Sequence, residues 1–155
     1  FLQWLKSLSR QNAEFLGDLI NRLLTDNELN EMSYLIDYGT TDWYTNHSFM
    51  ADKDLERKAD KLFAYYSYIC YLKRSRIIND EGFSFFEYRI KRALNNRYTK
   101  DYFYNLYHFS RKQNILFTFE ELFNYGKSVR IYEPEFFDSK AYAYPNSIYT
   151  HNLNF

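Results

Sequence analysis

Between residues 55 and 70, Leu55, Ala59, Leu62, Phe63, Tyr66, Ile69 and Cys70 recur at steps of three and four. That spacing places them on one stripe of a helix. Tyr65, Tyr68 and Leu72 make a second stripe on the opposite side. Within FAYYSYICYL, residues 63 to 72, the helix is therefore apolar almost all round. Such a helix belongs inside a protein, because no face is left for water. The stretch reads as the central core helix of a bundle rather than a stacking platform, which needs exposed rings. Tyrosine suits that place, since its ring packs while its hydroxyl seeks a polar partner.

Turn-forming residues point the same way. The 155 residues include only 4 Gly and 2 Pro, too few for the many tight turns of a β-sandwich or barrel. The expected fold is all-α, a bundle of five or six helices around that buried aromatic helix. One domain is expected over residues 1–130, followed by an extended aromatic tail over 131–155, partly packed through Phe136, Phe137, Tyr142 and Tyr144. A chain this long buries roughly two-thirds of its unfolded surface and needs neither disulfide nor metal to fold.

Helix signals divide the chain. A first helix spans residues 1–24, straight, bent or split where Gln11 and Asn12 interrupt the stripe of Leu2, Leu5, Leu8, Phe15, Leu16, Leu19, Ile20 and Leu23. A second runs from 26 to 38, started by a Thr25–Glu28 capping box or by Asp26 and stopped at Gly39. Residues 39–52 read as a loop, packed in part by Trp43, Tyr44, Phe49 and Met50, with Asp52 or Asp54 capping the central helix, 53–75. A connection over 76–82 leads to a helix from Ser84 to Asn95 that buries Phe85 or Phe86, Tyr88 or the stem of Arg89, Ile90 and Leu94. Thr99 then starts a helix to about 113, carrying Tyr102, Phe103, Leu106, Tyr107 and Phe109. Thr118 with Glu121 starts a short one that stops at Gly126.

The sequence offers little chemistry. His47, His108 and His151 lie in different segments without helical partners, so no metal site is expected. Cys70 falls on the buried stripe, where a thiol is inert. The single cysteine suits a reducing compartment, so a cytoplasmic location is expected. Isolated glycines at 17, 39, 82 and 126 exclude a phosphate loop. The members of the pairs Asp80–Glu81 and Glu120–Glu121 would point to different sides of a helix, and Glu120–Glu121 suits a helix start. No catalytic residue and no cofactor is expected.

Charge is the one uneven property. Residues 1–52 carry 3 basic and 8 acidic side chains, residues 53–130 carry 16 and 9, and residues 131–155 carry 1 and 3, giving a net charge of zero. Either the acidic and basic parts of one domain attract each other, or the basic part binds a polyanion. Candidate polyanion-binding residues are Lys73, Arg74, Arg76, Arg89, Arg92, Arg97 and Lys100, within a basic-aromatic region over 73–112. The same region would suit an acidic membrane surface.

The stretch over 54–127 contains KRSRIINDE, FFEYRIKR, NNRYTKDYFYNLY and FTFEEL. In this order it resembles a group of uncharacterised bacterial all-helical domains, over about half the chain. The resemblance implies an all-helical fold and a membrane-spanning anchor before Phe1, and brings no catalytic residue. A turn with a glycine in that group carries Arg76 here. Since aromatic side chains are enriched at interfaces, the expected function is a non-catalytic protein-interaction or scaffold domain that self-associates or binds a protein partner. Nucleic-acid binding is the alternative.

Overall fold

A computed structural model describes residues 1–39, 42–44, 53–150 and 153. The fold is all-α, with six α-helices and no strand among the described residues. In order they are α1 (Leu2–Thr25), α2 (Asn27–Tyr38), α3 (Lys53–Arg74), α4 (Asp80–Asn95), α5 (Arg97–Gln113) and α6 (Glu120–Ser128). Two short 3-10 turns follow, Pro134–Phe137 and Ala141–Ala143. No helix among the described residues is long and apolar enough to cross a membrane.

α3 is the hub and packs against α2, α4 and α6. It buries Ala59, Leu62, Phe63, Tyr66, Ile69 and Cys70 on one face, and Tyr65 and Leu72 on another. Tyr68 and Tyr71 form the side that reaches solvent. Three of the tyrosine hydroxyls find polar partners, whereas the Tyr132 hydroxyl is buried without one among the described residues. Tyr65 donates to the Leu19 carbonyl, Tyr66 lies 3.3 Å from the Ser33 hydroxyl, and Tyr125 donates to Glu87 at 3.2 Å. A buried hydroxyl without such a partner would cost about 1–3 kcal/mol.

The helix starts are set by acidic and amide side chains rather than by threonines. Asp26 accepts from the amides of Glu28 and Leu29, while the Thr25 hydroxyl turns back to the Asn21 carbonyl. The Leu29 amide and then the Lys61 ammonium hold the Asp26 carboxyl below its ordinary range. Asn79 accepts from the Gly82 amide and starts α4 four residues before Ser84. Asn96 caps α5, accepting from Tyr98 and Thr99, so Thr99 is a buried first-turn residue and not the cap. Thr118 does not cap α6, whose N-cap is Phe119 without a side-chain bond. Gly39 ends α2 at φ 64°, a left-handed residue that glycine adopts freely.

Several expected positions shift. α4 buries Phe83 and Phe86, whereas Phe85 and Tyr88 are exposed. Trp43 and Tyr44 are buried against Phe63 and Tyr102. Phe49, Met50 and a cap at Asp52 lie outside the described residues. Asp54 sits in the first turn of α3, paired with Arg57 and Lys58. Gly126 is inside α6, buried against the Tyr132 ring, and does not end the helix.

The segment after α6 is more deeply packed than a tail. Phe136 is fully buried, and its ring meets Tyr104, Tyr107, Phe123, Tyr132, Phe137 and Tyr149. Tyr149 is buried too, stacked on Tyr104 at 4.4 Å. Phe137, Tyr142 and Tyr144 remain largely exposed.

Candidate functional site

The first half of α1 leaves the body. Every residue from 1 to 14 is exposed, and only Leu19 and Leu23 of this helix are buried. The helix is continuous through Gln11 and Asn12, so the apolar stripe that docks its second half runs on into solvent. Phe1, Leu2, Trp4, Leu5 and Leu8 are its exposed members, with Trp4 62 % and Leu8 41 % accessible. Beside it lies a groove of about 750 Å³, walled by Leu5, Leu8 and Leu16 of α1 and by Ile77, Ile78 and Phe85 from the α3–α4 turn and α4. Gly82 lets the Leu16 side chain approach the start of α4: a Cβ there would lie 3.2 Å from Leu16 Cδ2.

Periodicity named the α1 leucines but not their exposure. Ile77 fell in a connection, and Phe85 was one of two choices for the core. The available signal was the polar interruption at Gln11–Asn12, which marks where burial ends.

Most of the basic candidates are engaged by neighbouring groups. Arg92 pairs with Asp37 at 2.8 Å and also bonds its backbone carbonyl. Lys100 reaches Glu133 at 3.4 Å. Arg89 donates to the Ser33 hydroxyl at 3.1 Å and lies over the Tyr34 ring. Arg97 lies over the neighbouring Tyr98 ring. Arg74 makes a bidentate pair with Glu121. Lys73, Arg74 and Arg76 line one cleft of about 360 Å³ between the end of α3, the following turn and α6.

The uneven charge largely closes on itself. The acidic side chains of α2 and its cap hold the basic side chains of α3 and α4: Glu28 takes Arg57, Glu31 takes Lys58, Asp26 takes Lys61 and Asp37 takes Arg92. Each exposed pair is weak in water, but together they orient α2 on its neighbours.

Two carboxylates, Asp60 half-buried and Asp101 buried, belong to the frame. Asp60 accepts from the Tyr102 hydroxyl at 2.6 Å, and burial raises its carboxyl above the ordinary range. Asp101, 4 % exposed, accepts from the Thr150 amide at 2.6 Å and hydroxyl at 2.8 Å. These bonds latch the C-terminal segment to α5. Burial pushes the Asp101 carboxyl up to about 6, against the lowering effect of the Thr150 bonds. The folded value lies above the unfolded value of 3.8, so the native state prefers the protonated acid. This contribution to stability is fully present below about pH 4 and is lost as pH rises through 6. Asp101→Asn should remove that loss. Relative to the natural chain, the variant should gain about 2 kcal/mol between pH 4.5 and 7.5 in urea unfolding. A difference that does not change with pH would refute this role.

His108 is a structural residue. Its Nε2 donates to the Phe136 carbonyl at 2.8 Å, and its ring packs on Tyr104. His47 and His151 lie outside the described residues. Among the described residues no group of three His, Cys, Asp or Glu side chains is placed to hold a metal. Cys70 is buried, and burial pushes its thiol up to about 12, far from a thiolate at neutral pH.

Comparison with protein families, with characterised proteins and with solved structures finds no match for this chain.

Proposed function

We propose that this chain is a non-catalytic protein-interaction domain. It docks an apolar helical segment, of a partner protein or of a second copy, along the first half of α1 and the neighbouring groove. One observation carries the reading: a continuous apolar stripe, Phe1 to Leu8, stands outside the core beside a groove edged by Ile77 and Phe85. Contiguous exposed apolar surface next to a groove is the usual mark of a docking site, since leaving it in water is unfavourable. Nucleic-acid binding over 73–112 is the weaker reading, because Arg74, Arg92 and Lys100 already hold carboxylates.

The double variant Trp4→Gln, Leu8→Gln tests it. Both side chains are exposed, so the melting temperature should stay within about 2 °C of the natural chain. In sedimentation velocity over a dilution series, the natural chain should self-associate, and the variant should associate at least tenfold more weakly. Burying each such side chain is worth about 1.5–3 kcal/mol, which exceeds the 1.4 kcal/mol of a tenfold change. Where association with a second copy is absent, the patch must still bind a hydrophobic dye, and the variant must lose that signal. A monomer that binds no dye would sink the reading.

A further inference from the structure

We propose that the cleft between α3 and α6 binds a small organic anion, a phosphate or carboxylate on a compact apolar body, through Arg76 and Lys73. This goes beyond the docking groove and does not rest on it. Of the charged groups at the cleft, Arg74 and Glu121 neutralise each other in a bidentate pair, with nitrogen–oxygen distances of 2.7 and 2.8 Å. Among the lining groups Lys73 and Arg76 then face Asp80, leaving a surplus of one positive charge; the Lys73 charge also acts on Glu87, which is paired with Lys91.

Among the described residues neither cation makes a close ion pair with a carboxylate. The Lys73 ammonium lies over the rings of Phe83 at 4.9 Å and Tyr125 at 5.5 Å. Such ring faces position a cation and leave its N–H donors open to an anion. Among the described residues, no hydrogen bond or ion pair of the Arg76 guanidinium occurs.

Arg76 also occupies a backbone position that does not suit it. α3 ends with the Ile77 amide bonded to the Leu72 carbonyl and the Arg76 amide bonded to the Lys73 carbonyl. This termination places residue 76 in the left-handed region, at φ 58°. Glycine fits there freely, whereas an arginine carries the steric cost of its Cβ. Arg130 ends α6 in the same conformation, at φ 60°, so the chain accepts arginine at such a position, and the role of Arg76 rests on its place at the cleft. That side chain is a planar fork of donors matched to phosphate or carboxylate oxygens.

The floor of the cleft sets the rest of the ligand. The buried Cys70 side chain and Tyr125 contribute apolar surface beneath the cationic rim. At about 360 Å³ the space falls in the range of small-molecule sites. It suits a single ring or a short chain carrying one anionic group. The Cys70 thiol is buried and its ionisation is pushed up, so it serves the cleft as apolar surface and not as a nucleophile.

Titrations of the full chain with phenyl phosphate, benzoate and inorganic phosphate, followed by NMR chemical shifts, test this. Phenyl phosphate or benzoate should bind saturably and perturb signals of Arg76 and Tyr125, and the stronger of the two assigns the anionic group. Inorganic phosphate should bind more weakly than phenyl phosphate. Arg76→Gly should weaken binding at least tenfold while raising the melting temperature by about 2–4 °C, because it removes the ligand contact and relieves the backbone together. Lys73→Met should weaken binding by a similar factor. Arg92→Gln, whose guanidinium is held by Asp37 outside the cleft, should bind as the natural chain does. No saturable binding of any probe, or an Arg76→Gly variant that binds at full strength, would overturn the proposal.

Discussion

Phe136→Ala is expected to lower stability by about 3–5 kcal/mol, the range for deleting a fully buried aromatic ring. Its ring lies at the centre of six others: Tyr104 and Tyr107 from α5, Phe123 from α6, and Tyr132, Phe137 and Tyr149 from the C-terminal segment. The closest is Tyr132, with centroids 4.5 Å apart. These rings come from three separate parts of the chain, so the hole left by alanine cannot close by moving one side chain. Partial collapse is what makes such a cavity costly. For a chain of this length the melting temperature should fall by about 10 °C or more. Phe136→Leu keeps part of the volume and should cost less than half as much. Urea unfolding of both variants, with proteolysis mapped over residues 131–150, checks the result. A loss below about 0.5 kcal/mol would mean that the segment is peripheral to the core.

Gly126→Ala should destabilise although alanine is the better helix former. Helix propensity alone predicts a gain of about 1 kcal/mol for replacing an interior glycine. The geometry predicts the opposite sign. A Cβ on Gly126 would lie 2.8 Å from the Tyr132 hydroxyl oxygen and 2.9 Å from its Cε2. The ring cannot swing away, because Phe123 and Phe136 pack against it at 5.0 and 4.5 Å. Forcing a methyl into such a contact costs about 1–3 kcal/mol beyond any propensity gain. A net loss of about 2 kcal/mol is expected from thermal or urea unfolding. Gly17→Ala is the matched control. It sits within α1 with nothing within 4 Å of its would-be Cβ, so it should stabilise by about 0.5–1 kcal/mol. Equal and positive effects at both sites would show that Tyr132 yields, and that Gly126 is only a weak helix residue.

Both results turn on the C-terminal segment, which is also where reading the sequence was least informative. Phe136 was visible as one aromatic among several, and Tyr149 carried no signal. Neither lies in a repeating pattern, since 3-10 turns of three or four residues are too short to show a period. The helices were legible because their signals are local. The 3-4-3 spacing of α3 and the left-handed Gly39 after α2 each involve residues within one or two turns of each other. The starts were misplaced where two capping residues competed. Asn96 directly follows α4 and takes the cap of α5 with two amide bonds, ahead of Thr99. Asn79 likewise starts α4 inside what looked like a connection.

The candidate sites divide in the same way. The α1 leucines were readable as an apolar stripe, but whether a stripe is covered depends on where neighbouring elements end. Charge asymmetry was readable as a sum, but not as a set of partners. Arg92 meets Asp37 across 55 residues of chain, and Arg74 meets Glu121 across 47. Only the packed helices decide that these cations are engaged while Lys73 and Arg76 face a cleft. The sequence alone determined that the chain is all-α with a buried aromatic helix, because hydrophobic period and turn chemistry act over a few residues. The tertiary structure decided the aromatic cluster around Phe136, the exposed half of α1 and the surplus charge at the cleft, because each depends on groups brought together from distant parts of the chain.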